Sequence, residues 1–174
     1  MVDWRRKQGK ATEKEVGEGL KYLKDKLKNF WYWRVMDYRI YKRIDKNLFA
    51  PKTPCDYFAC FRGKFYALEV KSSHSPKRYG LQYVKQHQKD SLSEIEKAGG
   101  EGWILLSWRR WNFKPKRKSN RLFVFRISDW LDLERETYNS GFKSVDWGTI
   151  IQKGMEIKRD KTWKLGKIFG VYGV

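Results

Sequence analysis

Long apolar runs are missing from this sequence. No stretch approaches the roughly 20 residues that a membrane span needs. The charged first ten residues are not followed by the apolar core of a signal peptide. These absences lead to the expectation of a cytoplasmic protein with no membrane partner. Cysteine is scarce, with Cys55 and Cys60 the only two. No second pair stands at zinc-ligand spacing, so the two are expected as buried thiols in a reducing compartment. Low-complexity tracts and repeats of solenoid period are also lacking, which leaves a globular domain as the starting class.

Acidic residues are in the minority. Lys and Arg number 39 against 20 Asp and Glu, a net charge of +19. A generic solubility surface carries a net charge of magnitude roughly 2–8. The larger excess repels itself and gains from a polyanionic partner, and each nucleic-acid phosphate neutralised releases a condensed counterion. The basic residues gather in four places: Arg5, Arg6 and Lys7; Arg43, Lys46 and Lys52; Lys77 and Arg78; and Arg109, Arg110, Lys114, Lys116, Arg117 and Lys118. These are the expected DNA-binding residues if the polyanion is DNA, with RNA the other candidate, making phosphate contacts that position a nucleic acid without reading its sequence. Charge gives a partner class and no chemistry, since a ribosomal or architectural protein is equally basic.

What the chain does have is material for a core: 40% hydrophobic residues, with 9 Trp, 10 Tyr and 10 Phe. At 174 residues it is expected to form a single domain over 1–174, with a basic arm (1–10), a basic loop (39–54) and a C-terminal extension (129–174). Val16, Leu20, Leu23 and Leu27 recur at helical spacing, which predicts a helix over 11–28. Residues 30–38 read as a strand. Asp56–Phe61 and Lys64–Lys71 read as a hairpin closed by Arg62-Gly63, and 72–80 as a loop. A second helix is expected over 84–98, stopped by Gly99-Gly100. Strands are expected over 103–108 and 122–127, then short helices over 129–136 and 145–152. The order predicts an α/β domain with a mixed central β-sheet flanked by helices.

Side chains alternate along a strand, so Phe65, Ala67, Glu69 and Lys71 share one face and Tyr66, Leu68 and Val70 the other. Glu69 and Lys71 thus point the same way at the end of an apolar strand, where charges are seldom found unless paired or used. Folding the hairpin at Arg62-Gly63 brings Asp56 to the same end. Two carboxylates can hold Mg²⁺, a hard cation, and a lysine beside it suits phosphodiester hydrolysis. The bland alternative is a Glu69–Lys71 surface ion pair worth roughly 0–1 kcal/mol. A second such tripeptide, Glu156-Ile157-Lys158, lacks the upstream aspartate and is set aside.

Pro54-Cys55-Asp56 followed by Glu69-Val70-Lys71 resembles the PD-(D/E)XK nuclease motif. Further segments agree in order. Gly9-Lys10-Ala11-Thr12-Glu13 resembles the opening of the first helix in Holliday-junction resolvases of the archaeal and RecU-like types. The hairpin from Asp56-Tyr57 through Gly63-Lys64 to Glu69-Val70-Lys71 is similar to the RecU-like core. Leu81-Gln82, His87-Gln88 and Gly99-Gly100 resemble the stretch that follows, and Lys143-Ser144-Val145 echoes a later segment. The similarity covers roughly residues 9–128.

The resemblance implies a restriction-endonuclease-like nuclease core. It implies Glu13, Asp56 and Glu69 as metal ligands, Lys71 as the catalytic lysine and Gln88 as an active-site helper. Glu13 and Gln88 lie on inward helix stripes, where an unpaired polar group is costly. Their alternatives are a charge favourable to the helix dipole and an ordinary hydrogen-bonded helix residue. The family carries a longer stalk where this chain has a short basic stretch between Phe30 and Thr53. The implied activity is that of a Mg²⁺-dependent endodeoxyribonuclease, with Mn²⁺ as the other candidate metal. Its substrate is branched DNA, four-way junctions cut by paired symmetric nicks, and a homodimer suits that two-fold substrate. Two rivals stay open: another nuclease of the same superfamily acting in repair, at forks or in restriction, and a non-catalytic basic nucleic-acid-binding protein.

Overall fold

The computed structural model describes residues 4–36, 52–111 and 118–173. Helix α1 (Trp4–Lys26) leads into strand β1 (Phe30–Arg34). Strands β2 (Tyr57–Phe61) and β3 (Lys64–Ser73) follow as a hairpin. A short strand β4 (Arg78–Gly80) and a 3₁₀ turn (Leu81–Tyr83) precede helix α2 (Gln86–Lys97). The chain continues through β5 (Glu101–Trp111), β6 (Lys118–Arg126), α3 (Ile127–Asn139), β7 (Ser144–Asp146), α4 (Trp147–Lys153) and β8 (Met155–Ile157). A 3₁₀ turn over Leu165–Phe169 comes last.

Six strands form the central sheet in the order β1-β2-β3-β5-β6-β8, and β4 pairs with β7 in a small second sheet. Only β3 and β5 run parallel among the pairs described. A parallel pair cannot be closed by a tight turn, and α2 lies on the connection between them. The expected mixed sheet flanked by helices is therefore what the chain forms.

The hairpin turn follows from backbone chemistry. Arg62 and Gly63 both adopt positive φ, 51° and 75°. A type I′ turn requires this at both central positions, and its twist matches that of the flanking strands. Phe61 pairs with Lys64, and Tyr57 with Leu68.

Strand alternation divides the core in two. Tyr66, Leu68 and Val70 of β3 face α1 and the C-terminal 3₁₀ turn, with Val16, Leu20, Leu23, Leu105, Leu165 and Phe169. Ala67 faces the other way, toward the cluster holding Leu92 of α2, Trp130 of α3, Ile150 of α4, Ile104, Leu106 and Phe123. Each fully buried large aliphatic side chain contributes about 1.5–3 kcal/mol. This double bed lets β3 carry a buried charge at its end.

Three expectations need correction. Residues 4–10 are not an arm; they belong to α1, whose polar first turns carry no apolar stripe to reveal them. Residues 129–174, expected as a C-terminal extension, are built into the sheets and the core. Within them β8 pairs with β6 and extends the main sheet, β7 completes the small sheet, and Leu165 and Phe169 cap the α1 core. The expected loop over 72–80 contains the end of β3 and all of β4, a strand too short to show a period. The rejected Glu156 tripeptide proves structural: Ile157 is buried, and Glu156 accepts two hydrogen bonds from Arg121, at 2.7 and 2.8 Å.

Candidate active site

The site forms where β2 begins and β3 ends. Asp56 precedes β2, its amide bonded to the Leu68 carbonyl (3.1 Å) and its carbonyl to the Val35 amide (2.9 Å). Its side chain accepts a hydrogen bond from the Val70 amide at 2.8 Å. Three backbone contacts thus fix the aspartate beside the strand that carries Glu69.

Glu69 is 1% exposed. Its Oε1 accepts from Lys71 Nζ at 2.5 Å and from Gln88 Nε2 at 2.7 Å. Gln88 is itself oriented, because its Oε1 accepts the Lys85 amide at 3.0 Å and closes the N-terminus of α2 as a capping box. One glutamine therefore ends a helix and aims a carboxylate.

The other oxygen, Glu69 Oε2, is buried and has no hydrogen-bond partner among the described residues. The contrast with the other buried acids is sharp. Glu101 receives Lys64 (2.7 Å), Arg126 (2.8 Å) and Trp103 Nε1 (3.0 Å). Both oxygens of Glu134 receive Lys89, at 2.9 and 2.8 Å. Leaving a buried acceptor unsatisfied costs about 1–3 kcal/mol, more when charged; Glu96 Oε1 is left in the same way on α2, and what sets Glu69 apart is its place beside Asp56 and Lys71. Burial pushes the Glu69 carboxyl up to about 8; the nearby Asp56 adds to the rise and Lys71 opposes it. Burial likewise raises Asp56 to about 6, opposed by the Val70 amide and reinforced by Glu13. The buried Cys55 thiol and Tyr79 phenol, both pushed up by burial and by Glu69, make the surroundings poorly polar.

Asp56 and Glu69 fit a divalent cation: hard oxygen donors, mutual repulsion in a low-dielectric setting, and one buried oxygen lacking a proton donor. Glu13 is near enough to influence both, but its carboxylate is held by Arg34 at 2.6 Å. Its backbone carbonyl accepts the Tyr57 hydroxyl at 2.8 Å. Among the described residues no group of three or more His, Cys, Asp or Glu is gathered as a metal cluster. Asp56, Glu69, Lys71 and Gln88 thus come together, and Glu13 stands beside them tied to Arg34. Sequence reasoning missed Arg34, Tyr57 and the Lys85 amide. The register of β1 against β2, which pairs Arg34 with Tyr57, is the signal that would have found the first two.

The expected DNA contacts divide. Lys52 is exposed, and Arg78 lies on β4. Arg43, Lys46, Lys114, Lys116 and Arg117 lie outside the described residues, as do the side chains of Arg5, Arg6, Lys7, Arg110 and Lys118. Arg109 is corrected: its guanidinium donates to Thr12 Oγ1 and Glu15 Oε2, each at 2.7 Å, and is largely buried. It ties β5 to α1.

Removing the Gln88 amide tests how Glu69 is aimed. With Glu69 as a metal ligand, as the sequence resemblance implies, Gln88→Ala is expected to weaken metal affinity, read by titration calorimetry, by about 10–100-fold, the usual loss when a partner orienting a ligand is removed. Unchanged affinity would show that Gln88 does not position the carboxylate.

The Holliday junction resolvase RecU of Pediococcus pentosaceus is 22% identical over 116 residues, 67% of this chain and 54% of that protein. The Holliday junction resolvase RecU of Levilactobacillus brevis is 23% identical over 114 residues, 66% of this chain and 53% of its own length. The chain thus spans about half the length of these curated relatives. Among solved structures, Archaeoglobus fulgidus Hjc, a Holliday junction resolvase from an archaeal hyperthermophile, is similar with a TM-score of 0.40 at 16% identity, covering 67% of this chain and 74% of that one. A family model described as RecU, Recombination protein U, matches residues 9–168, nearly the whole chain, which therefore belongs to the Recombination protein U family.

Proposed function

We propose that this protein is a metal-dependent, structure-selective endonuclease that cuts four-way DNA junctions. The observation that carries the reading is the buried, half-satisfied Glu69 carboxylate, held between Lys71 and Gln88 beside Asp56. The membership of the chain in the Recombination protein U family supports the substrate class.

In this reading Asp56 and Glu69 hold Mg²⁺, or Mn²⁺ in its place, with Glu13 as the accessory acid. When bound, the cation stabilises charge on the phosphate and lowers the pKa of a bound water. Every other contribution comes from the chain. The Val70 amide fixes Asp56. Gln88 fixes the rotamer of Glu69. Lys71, largely buried, lies against Glu69 and is placed to orient the attacking water or to stabilise negative charge building on the phosphate oxygens. Arg34 is more than half exposed and holds Glu13 until substrate phosphate competes for the guanidinium. The net charge of +19 supplies affinity for the DNA backbone. A homodimer with one site in each subunit suits the two-fold symmetry of a four-way junction.

Four-way junction, fork and linear duplex, incubated with Mg²⁺, are expected to show paired symmetric nicks on the junction only. Asp56→Asn is expected to lower that rate by at least about 10²–10³-fold, the scale for losing a preorganised charge-stabilising group, while still binding the junction in gel-shift assays. Equal cleavage of linear duplex would replace resolution by a general nuclease activity. No cleavage with any divalent metal would reduce the protein to a nucleic-acid-binding module.

A further inference from the structure

A cleft of about 660 Å³ opens beside Lys71 and runs past the serines at the end of β3 to Arg78 of β4 and Tyr83 of the first 3₁₀ turn. The volume falls in the range of roughly 300–1,000 Å³ typical of small-ligand sites. Because the cleft shares Lys71 with the carboxylate site, whatever fills it is continuous with the reacting phosphate.

Two features of the wall point to the occupant. The Arg78 guanidinium is fixed in advance: Nε donates to Ser144 Oγ at 2.8 Å, Nη2 donates to the Ser144 carbonyl, and the group lies 4.8 Å over the Phe142 ring. Asp146, opposite Arg78 on β7, feels its charge, but among the described residues the guanidinium's hydrogen bonds go to neutral oxygens and no ion pair holds it, so it can meet an anion. Tyr83 is 55% exposed at the cleft, and its ring leans on buried Tyr79, with centroids 5.7 Å apart. A single exposed tyrosine means little. A supported aromatic face and an anchored guanidinium on one cleft are the two components of a single-strand nucleotide site: a face for the base and a cation for the phosphate.

Resting on the nuclease reading above, we propose that this cleft seats one unstacked nucleotide next to the cut phosphate, with Tyr83 stacked on its base and Arg78 on its phosphate. A base inside a continuous duplex offers no free face. A branch point, where stacking is interrupted, does. Tyr83 and Arg78 would then contribute to selectivity for branched DNA, acting as positioning residues.

The test uses four-way junctions carrying 2-aminopurine singly at each position flanking the branch, bound to the Asp56→Asn protein so that cleavage plays no part. Quenching is expected at one or two positions next to the cut site. It is expected to be lost in Asp56→Asn, Tyr83→Ala and kept in Asp56→Asn, Tyr83→Phe. With Asp56 restored, Tyr83→Ala is expected to lower kcat/KM on the junction about tenfold, the order associated with one aromatic–base stack, and Tyr83→Phe to restore it. Quenching that survives Tyr83→Ala, or no quenching at any position, overturns the assignment. Either result leaves the nuclease reading to the cleavage panel, which is scored on the wild-type protein. Arg78→Lys keeps the charge and loses the anchored fork; it is expected to weaken junction binding at low salt, and wild-type binding by this variant would remove Arg78 from the site.

Discussion

Glu69→Gln is expected to abolish junction cleavage and to stabilise the metal-free protein. The two effects share one cause. Burial raises the Glu69 carboxyl from 4.5 to about 8. A carboxyl whose folded pKa lies above its unfolded value favours the unfolded state once the unfolded chain ionises it. The penalty is absent below about pH 4.5, grows as pH rises toward 8, and is largely in place at pH 7. Glutamine keeps the shape and can still meet Gln88, but carries no charge and so removes the penalty. The expected gain at pH 7 without metal is on the order of 1–3 kcal/mol, a rise of several degrees in Tm for a domain of this size, and it vanishes near pH 4. Lys71 keeps an acceptor, because the glutamine side-chain oxygen takes the position of the Glu69 Oε1 that it now meets. Mg²⁺ is expected to raise the Tm of the wild type and not of Glu69→Gln. Thermal melts at pH 4 and pH 7, with and without Mg²⁺, check both parts. A variant that melts below wild type at pH 7 without metal would show that Glu69 is a structural ion pair.

The second large effect is expected from a residue with no functional group. Gly102 lies on β5 opposite Ala67 of β3. A Cβ there would meet the Leu92 carbonyl of α2 at 2.7 Å, Leu92 Cβ at 2.9 Å and Ile127 Cγ2 at 3.0 Å. Ala67 and Gly102 together make a low patch on the sheet, and α2 sits directly on it. The first obstacle is helix backbone, which a rotamer change cannot clear, so Gly102→Ala must lift α2. Overpacking of this kind costs about 1–3 kcal/mol. Leu92 is about one turn beyond Gln88 on the same buried stripe, so the same movement draws Gln88 off Glu69. Gly102→Ala is expected to lower Tm by several degrees and to lower junction cleavage roughly 10–100-fold, the scale on which disturbing a partner of a metal ligand reduces affinity or activity. Differential scanning calorimetry and junction assays read the two effects. Wild-type values in both would mean that α2 is not seated by this glycine.

Much of the site is legible in the sequence. The Arg62-Gly63 turn requires positive φ, and the chain supplies it there. Period-2 alternation separates Glu69 from Val70, and the two core clusters respect that division. Gln88 is buried on α2 as its helical stripe requires. Less legible were the short strands β4, β7 and β8, whose three residues each carry no period. Their pairing is set by partners far along the chain. Arg109 misled for a related reason. A basic residue in a basic stretch looks like a phosphate ligand until an acid from a distant helix, here Glu15, is seen to neutralise it.

The sequence by itself determined the local terms: the hairpin turn, the face on which Asp56, Glu69 and Lys71 would meet, the helix that brings Gln88, and the charge that selects a polyanion. These depend on backbone preference and on periods of two and 3.6, which are properties of neighbouring residues. Only the tertiary structure decided that one oxygen of Glu69 stays without a partner among the described residues, that Arg34 holds Glu13, and that Arg78 and Tyr83 share a cleft with Lys71. Burial, register between strands and the balance of charges across elements depend on segments tens of residues apart. Desolvation turns a Glu-x-Lys tripeptide, worth little on a surface, into a strained and usable carboxylate.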